Sequence, residues 1–144
     1  MRPGGGFILK TITLEAIKEN IPRVTAFVDG ELEQLDCALK AQMQIDIAID
    51  EIAANISSYA YAPATGTMEV SFDYEAENRT AVITFTDSGR SFNPLDKEEP
   101  DTGLSAEERE IGGLGIFLVR KTMDSMEYRR ENGTNILTIR KKIG

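Results

Sequence analysis

The sequence of 144 residues contains no histidine. That excludes histidine-based acid–base catalysis, histidine metal ligands and a phosphorylated histidine of its own. Its one cysteine, Cys37, excludes an internal disulfide and a multi-cysteine zinc centre, and a reducing cytoplasm is the expected setting. Basic residues are scarce: 16 Lys and Arg against 24 Asp and Glu leave a net charge of −8. Direct nucleic-acid binding, which rests on neutralising phosphates, is therefore disfavoured. A basic protein partner, or an anion held by backbone dipoles, is not. The longest strictly apolar run is four residues, as in Ile116-Phe117-Leu118-Val119, far short of the about 20 that a membrane helix needs. The glycine-rich start has no apolar targeting core, and there is no internal repeat. A single domain over residues 1–144 is expected.

What is present changes period along the chain. Residues 6–13 lean towards a strand, and Thr13 is placed to cap a helical stretch to about residue 37, interrupted near Pro22 and Gly30. Ile45, Ile49, Ile52, Ile56 and Tyr59 recur at spacings of 4, 3, 4 and 3, one stripe of a helix over about residues 39–61. From Thr67 the period is two: Met68, Val70, Phe72 and Tyr74 alternate with polar residues, as in a strand with one buried face. Residues 81–85 continue as a second such strand. Residues 87–113 have little pattern, and a loop this long inside a small domain is usually functional. A helix over 115–126 follows, with Ile116, Val119, Met123 and Met126 on one face. Asn132-Gly133 then signals a type I′ hairpin. The order β-α-α-β-β-loop-α-β-β describes an α+β, two-layer sandwich: a mixed, mostly antiparallel sheet with helices on one face.

Three places carry chemistry. In Asp50-Glu51-Ile52-Ala53-Ala54-Asn55, the carboxylate and the amide fall about 40° apart on the rim of the apolar stripe. An amide oxygen can hold Mg²⁺, and a carboxylate beside it can take a proton from a hydroxyl. A solvated helix edge carries the same pair. In Thr86-Asp87-Ser88-Gly89, a strand ends in a carboxylate and a residue free to turn sharply. Such a carboxylate can accept from an exocyclic amine, and the composition also suits a plain turn. In Ile111-Gly112-Gly113-Leu114-Gly115-Ile116, glycines open into a helix whose first N–H groups and positive dipole end suit an anion. No Gly-Lys-Ser/Thr follows, so this is not a Walker A loop.

Together, Glu51-x-x-x-Asn55, Asp87-Ser-Gly89-Arg-Ser-Phe92, Gly113-Leu-Gly115-Ile-x-Leu-Val-Arg-x-x-Met-Asp124 and the closing Gly133-Thr-Asn-x-Leu-Thr resemble the ATP-binding domain shared by gyrase and histidine kinases, the GHKL or Bergerat fold. Within it, the chain is most similar to the anti-sigma factor serine kinases. The likeness covers about residues 7–142. It implies ATP and Mg²⁺ as cofactors, Asn55 as magnesium ligand and Glu51 as general base. It further implies Asp87 on the adenine amine, and Gly89 passing close to the base. Gly113, Leu114 and Gly115 would lie on the phosphates, with Thr134 near the adenine and a lid over about residues 93–112. The partners implied are a sigma factor and an anti-anti-sigma (STAS-type) protein, with a homodimer and neither nucleic acid nor membrane. The subgroup commonly has His four residues after the Asn; here Tyr59 stands there, with the spacing of a last stripe member. Kinases of the subgroup carry Arg just before the glycines; here Ile111 stands there, and Arg109, the nearest basic residue, reads either as a γ-phosphate contact or as a solvated charge in Glu107-Glu108-Arg109-Glu110. Two readings stay open: a serine kinase, or an ATP-sensing binding module. Val24, Phe27, Val28, Leu32 and Leu35 read either as core or as part of a dimer surface.

Overall fold

The computed structural model describes residues 9–96 and 113–144. Strand β1 (Lys10–Glu15) leads through a short 3-10 turn into helices α1 (Ile21–Gln34) and α2 (Leu39–Asn55). Strands β2 (Thr67–Glu75) and β3 (Thr80–Asp87) follow. Helix α3 (Gly113–Thr122) then precedes β4 (Ser125–Glu131) and β5 (Thr134–Lys142). The five strands lie in the order β1-β2-β3-β5-β4, and each pairing is antiparallel. The mixed sheet expected from sequence is thus wholly antiparallel among the described residues.

The period-two strands bury one face. Met68, Val70 and Phe72 of β2, Ile83 and Phe85 of β3 and Ile139 of β5 are each at most 1% exposed. Against them pack Val24, Val28 and Leu32 of α1, Ile45, Ile49 and Ile52 of α2, and Ile116 and Val119 of α3. Val24, Val28 and Leu32 of the α1 stripe are therefore core, with Phe27 and Leu35, partly buried, packed beside them. The tight turn at Asn132 (φ 50°) and Gly133 (φ 77°) has the two left-handed residues that a type I′ hairpin requires. Among the described residues no helix is long and apolar enough to cross a membrane.

Four local expectations fail for physical reasons. Thr13 caps no helix: Ile12 and Leu14 alternate with it, and it sits inside β1 opposite Glu69. Pro22 does not interrupt α1 but lies in its first turn, where its missing N–H leaves nothing unbonded. Gly30, on the exposed side of the helix, does not interrupt it either, because the three fully buried side chains of the core-facing side, Val24, Val28 and Leu32, outweigh the about 1 kcal/mol a mid-helix glycine costs. The third helix ends at Thr122, so Met126 belongs to β4.

Where α1 meets α2, Asp29 and Asp46 face each other, and Oδ1 of each is buried without a hydrogen-bond partner. Two ionised carboxylates cannot supply a donor; a shared proton can. Burial, a hydrogen bond with Asp29 and the charges of Asp29, Asp50 and Glu33 push Asp46 up from 3.8 to about 7. The folded state therefore binds a proton that the unfolded state releases near pH 4. Stability falls as pH rises from about 4 to about 7, and the cost is fully present above that. Asp46→Asn removes it. Solvent screening of this half-exposed pair reduces the gain to about 1 kcal/mol, which is about 3 °C in Tm at pH 8 and close to none at pH 4. Thermal melts of both proteins across that range test this.

Candidate functional site

The C-terminal end of α2 does not continue as α-helix. Residues 56–60 form one π turn, the wider ring that marks many functional sites. The extra residue per turn carries the stripe from Ile56 to Ala60 and Tyr61, and Tyr61 packs on the core. Tyr59, expected as the last stripe member, is instead turned to Phe92, with ring centroids 6.3 Å apart.

Between this turn and the sheet lies a cleft. Ile52 and Ile56 of the first layer, Ile116 of α3, and Phe85 and Leu137 of the sheet make its apolar walls. Its polar groups are few: Asn55, Asp87, Asn135 and Tyr128. An apolar slot with a few placed polar atoms suits a flat heteroaromatic ring.

Asp87 ends β3 and is 7% exposed. Its Oδ1 accepts the Gly89 N–H at 2.9 Å and the Asn135 Nδ2–H at 2.9 Å. Oδ2 is left to take a donor from the cleft. The Asn135 amide also donates to the Arg90 carbonyl at 2.8 Å. Its Oδ1 accepts from Arg130 Nη1 at 2.9 Å and from the Tyr128 hydroxyl. Arg130 donates as well to the Gly89 carbonyl, 3.1 Å. On the other side, the Tyr61 hydroxyl accepts from Ser88 N–H at 2.8 Å and donates to the Thr67 carbonyl at 2.7 Å. The loop after Asp87 is thus tied to both layers. A Cβ on Gly89 would lie 2.2 Å from the Ala60 carbonyl oxygen, so its close approach is to the π turn.

Asn55 is 8% exposed, and its Nδ2 is buried with no partner, a donor kept for something the cleft takes in. One turn earlier, the half-buried Glu51 carboxylate lies over the first turn of α3. The place where a Cβ on Gly115 would sit is 1.9 Å from Glu51 Oε2. The absent side chain is what admits the carboxylate. Gly113 and Leu114 are the first two helical residues of α3, and a helix start leaves its N–H groups free.

The structure brings Asn55 and Asp87 to the cleft wall, and beside it packs Gly89 against Ala60 and Glu51 against Gly115 at the start of α3. It does not bring Thr134. That residue pairs with Glu131 at the hairpin and shares the phase of Ile136 and Thr138, the face away from the helices. Its neighbour Asn135 points in, and sequence reasoning missed it. The signal was available: Asn135 is in phase with Leu137 and Ile139. Arg109, and the lid beyond residue 96, lie outside the described residues.

The donor set fits a nucleotide with its own metal better than a resident ion. Among the described residues, no three Cys, Asp or Glu side chains converge to hold a metal. The one side chain of the cleft that would hold magnesium is Asn55, through its amide oxygen.

Three helices on an antiparallel sheet, with a cleft between an Asp-x-Gly turn and a glycine-opened helix, define an ATPase-type nucleotide-binding domain. The chain belongs to the histidine kinase-like ATPase domain family, whose pattern matches residues 14–141. Serine-protein kinase RsbW of Halalkalibacterium halodurans is 31% identical over 131 residues, covering 85% of this chain and 76% of that protein. Serine/threonine-protein kinase BtrW of Bordetella bronchiseptica is 25% identical over 100 residues, 69% of this chain and 70% of that one. Among solved structures, the Acinetobacter baumannii histidine kinase AdeS shares the fold, with a TM-score of 0.50 at 14% identity, over 95% of this chain and 69% of that chain.

Proposed function

We propose that the protein is an ATP-dependent protein serine kinase of the anti-sigma factor type. The observation that carries the reading is one helix end: Glu51 against the start of α3, and Asn55 with an unpartnered buried amide at the cleft. The relatives named serine kinases support the reaction. Asp87 Oδ2 accepts the adenine amine, and the walls of Ile52, Ile116 and Leu137 take the base. The first N–H groups of α3, at Gly113, Leu114 and Gly115, bind phosphate oxygens without a basic surface. Asn55 would hold magnesium, which would supply charge neutralisation at the phosphates. Glu51 orients an incoming serine hydroxyl and takes its proton as the oxygen bonds to the γ-phosphorus and ADP leaves. Arg109 adds charge at the γ-phosphate. The acceptor is an anti-anti-sigma (STAS-type) protein, the sequestered partner a sigma factor, the working form a homodimer in the cytoplasm. Calorimetric titration with Mg·ATP tests the site. Wild type is expected to bind in the micromolar range, and Asn55→Ala about tenfold more weakly with magnesium but not with EDTA, since loss of one charge-assisted ligand is worth about 1.4 kcal/mol. No binding by wild type overturns the reading.

A further inference from the structure

Five large apolar side chains of the described residues are exposed, and three of them stand on α2: Leu39 at 73%, Met43 at 56% and Ile47 at 53%. They are spaced by four residues. The next two positions at the same spacing are Glu51 and Asn55. One ridge of α2 therefore carries an exposed apolar surface and, in line with it, the two polar groups of the cleft. A ridge of this kind drifts about 40° around the helix per step. It crosses α2 obliquely, from the flank facing α1 to the flank where Glu51 meets Gly115 of α3. Ile47 is one turn, about 6 Å along the axis, from Glu51.

Such a surface on a soluble domain marks a contact site. Its flank towards α1 is acidic: Asp46 and Asp50 on α2, Asp29 and Glu33 on α1. A second copy docked with its two-fold axis running across the ridge would bring Asp50 and Glu33 towards their own copies. A partner with an apolar face rimmed by lysine or arginine meets no such repulsion. We propose that the Leu39–Met43–Ile47 ridge is the docking surface of the protein phosphoacceptor, which covers it with apolar side chains rimmed by basic ones and so delivers its serine to Glu51. This rests on the kinase reading above, and it adds where the acceptor binds.

The test is steady-state transfer from Mg·ATP to a purified anti-anti-sigma domain protein, using the full chain and its variants Met43→Asp, Ile47→Asp and Asp50→Lys. Leu9→Asp, exposed just before β1 and off the ridge, is the control. The expected result is an acceptor KM raised about tenfold or more by each ridge or flank variant, the range of a contact that carries binding. The KM for ATP and the Leu9→Asp values should match wild type. Because the replaced side chains are exposed, an unchanged ATP affinity also certifies the fold. Transfer by all variants with the wild-type acceptor KM overturns the docking surface and leaves the kinase reading standing. A sedimentation change in Ile47→Asp without a KM change assigns the ridge to a second copy and overturns it too. Wild-type binding of ATP without any labelled serine overturns the kinase reading, and the docking surface with it.

Discussion

Gly115→Ala is expected to lower phosphoryl transfer about 100-fold while the domain stays folded, the loss being that of a misplaced general base. The added methyl would lie 1.9 Å from Oε2 and 2.2 Å from Cδ of Glu51, distances that no pair of non-bonded atoms holds. What yields is decided by stiffness. The methyl grows from a helix backbone, whereas the carboxylate is the far end of a flexible side chain, so Glu51 swings out. The fold has little to lose, since alanine is favoured over glycine inside a helix by about 1 kcal/mol. The Gly115 N–H is unchanged, so ATP affinity should stay within about threefold. Single-turnover transfer, calorimetry and a thermal melt separate these effects. Glu51→Gln should give a similar loss without the clash. The double variant should be little worse than either single one, since both remove one function. Full activity in Gly115→Ala would show that the carboxylate position seen here is not the working one.

The architecture was legible from sequence because its elements differ in period. The alternation in residues 67–75, the spacing of Ile45, Ile49 and Ile52, and Asn132-Gly133 each state a local geometry that the core then adopts. The site was legible only as a set of short motifs, and two things hid its detail. The π turn after Asn55 adds a residue to one turn, so a helical count runs one position wrong from there. That is why Tyr59, in phase by sequence, leaves the core and meets Phe92. The choice between Thr134 and Asn135 depends on which residue first faces inward after the hairpin, and that is set by pairing across the sheet: Asn135 lies opposite Asp87. The contact between Glu51 and Gly115 joins residues 64 positions apart. Nothing in either motif read alone announces that the glycine exists partly to leave room for the carboxylate.

Asn135→Ala should weaken ATP binding about 30-fold and destabilise the domain, although the closing Gly133-Thr-Asn-x-Leu-Thr motif contains Asn135 without assigning it a role. The side chain is 5% exposed and joins four groups: it donates to Asp87 and to the Arg90 carbonyl, and it accepts from Arg130 and Tyr128. Removing it leaves those partners short at once. Each buried orphan costs about 1–3 kcal/mol, and water entering the open cleft offsets part of that, so the net is about 2 kcal/mol and about 6 °C in Tm. The larger consequence is in recognition. Asp87 keeps only the Gly89 N–H on Oδ1, its carboxylate is free to rotate, and Oδ2 no longer stands where an exocyclic amine arrives. The comparison that isolates this pits ATP against purine riboside triphosphate, which lacks the 6-amino group. Wild type should prefer ATP by about 30-fold, the worth of a charge-assisted hydrogen bond, and Asn135→Ala should bind both nearly alike. Asp87→Asn, which turns an acceptor pair into one acceptor and one donor, should lose the preference by a separate route, with the Asn135 bonds largely kept. If Asn135→Ala loses stability but keeps the full preference for ATP, the residue props up the hairpin and has no part in reading the base. If it loses the preference at a temperature where it is fully folded, base selectivity in this cleft is set by a pair of residues 48 positions apart, with Asp87 making the contact and Asn135 holding it in place.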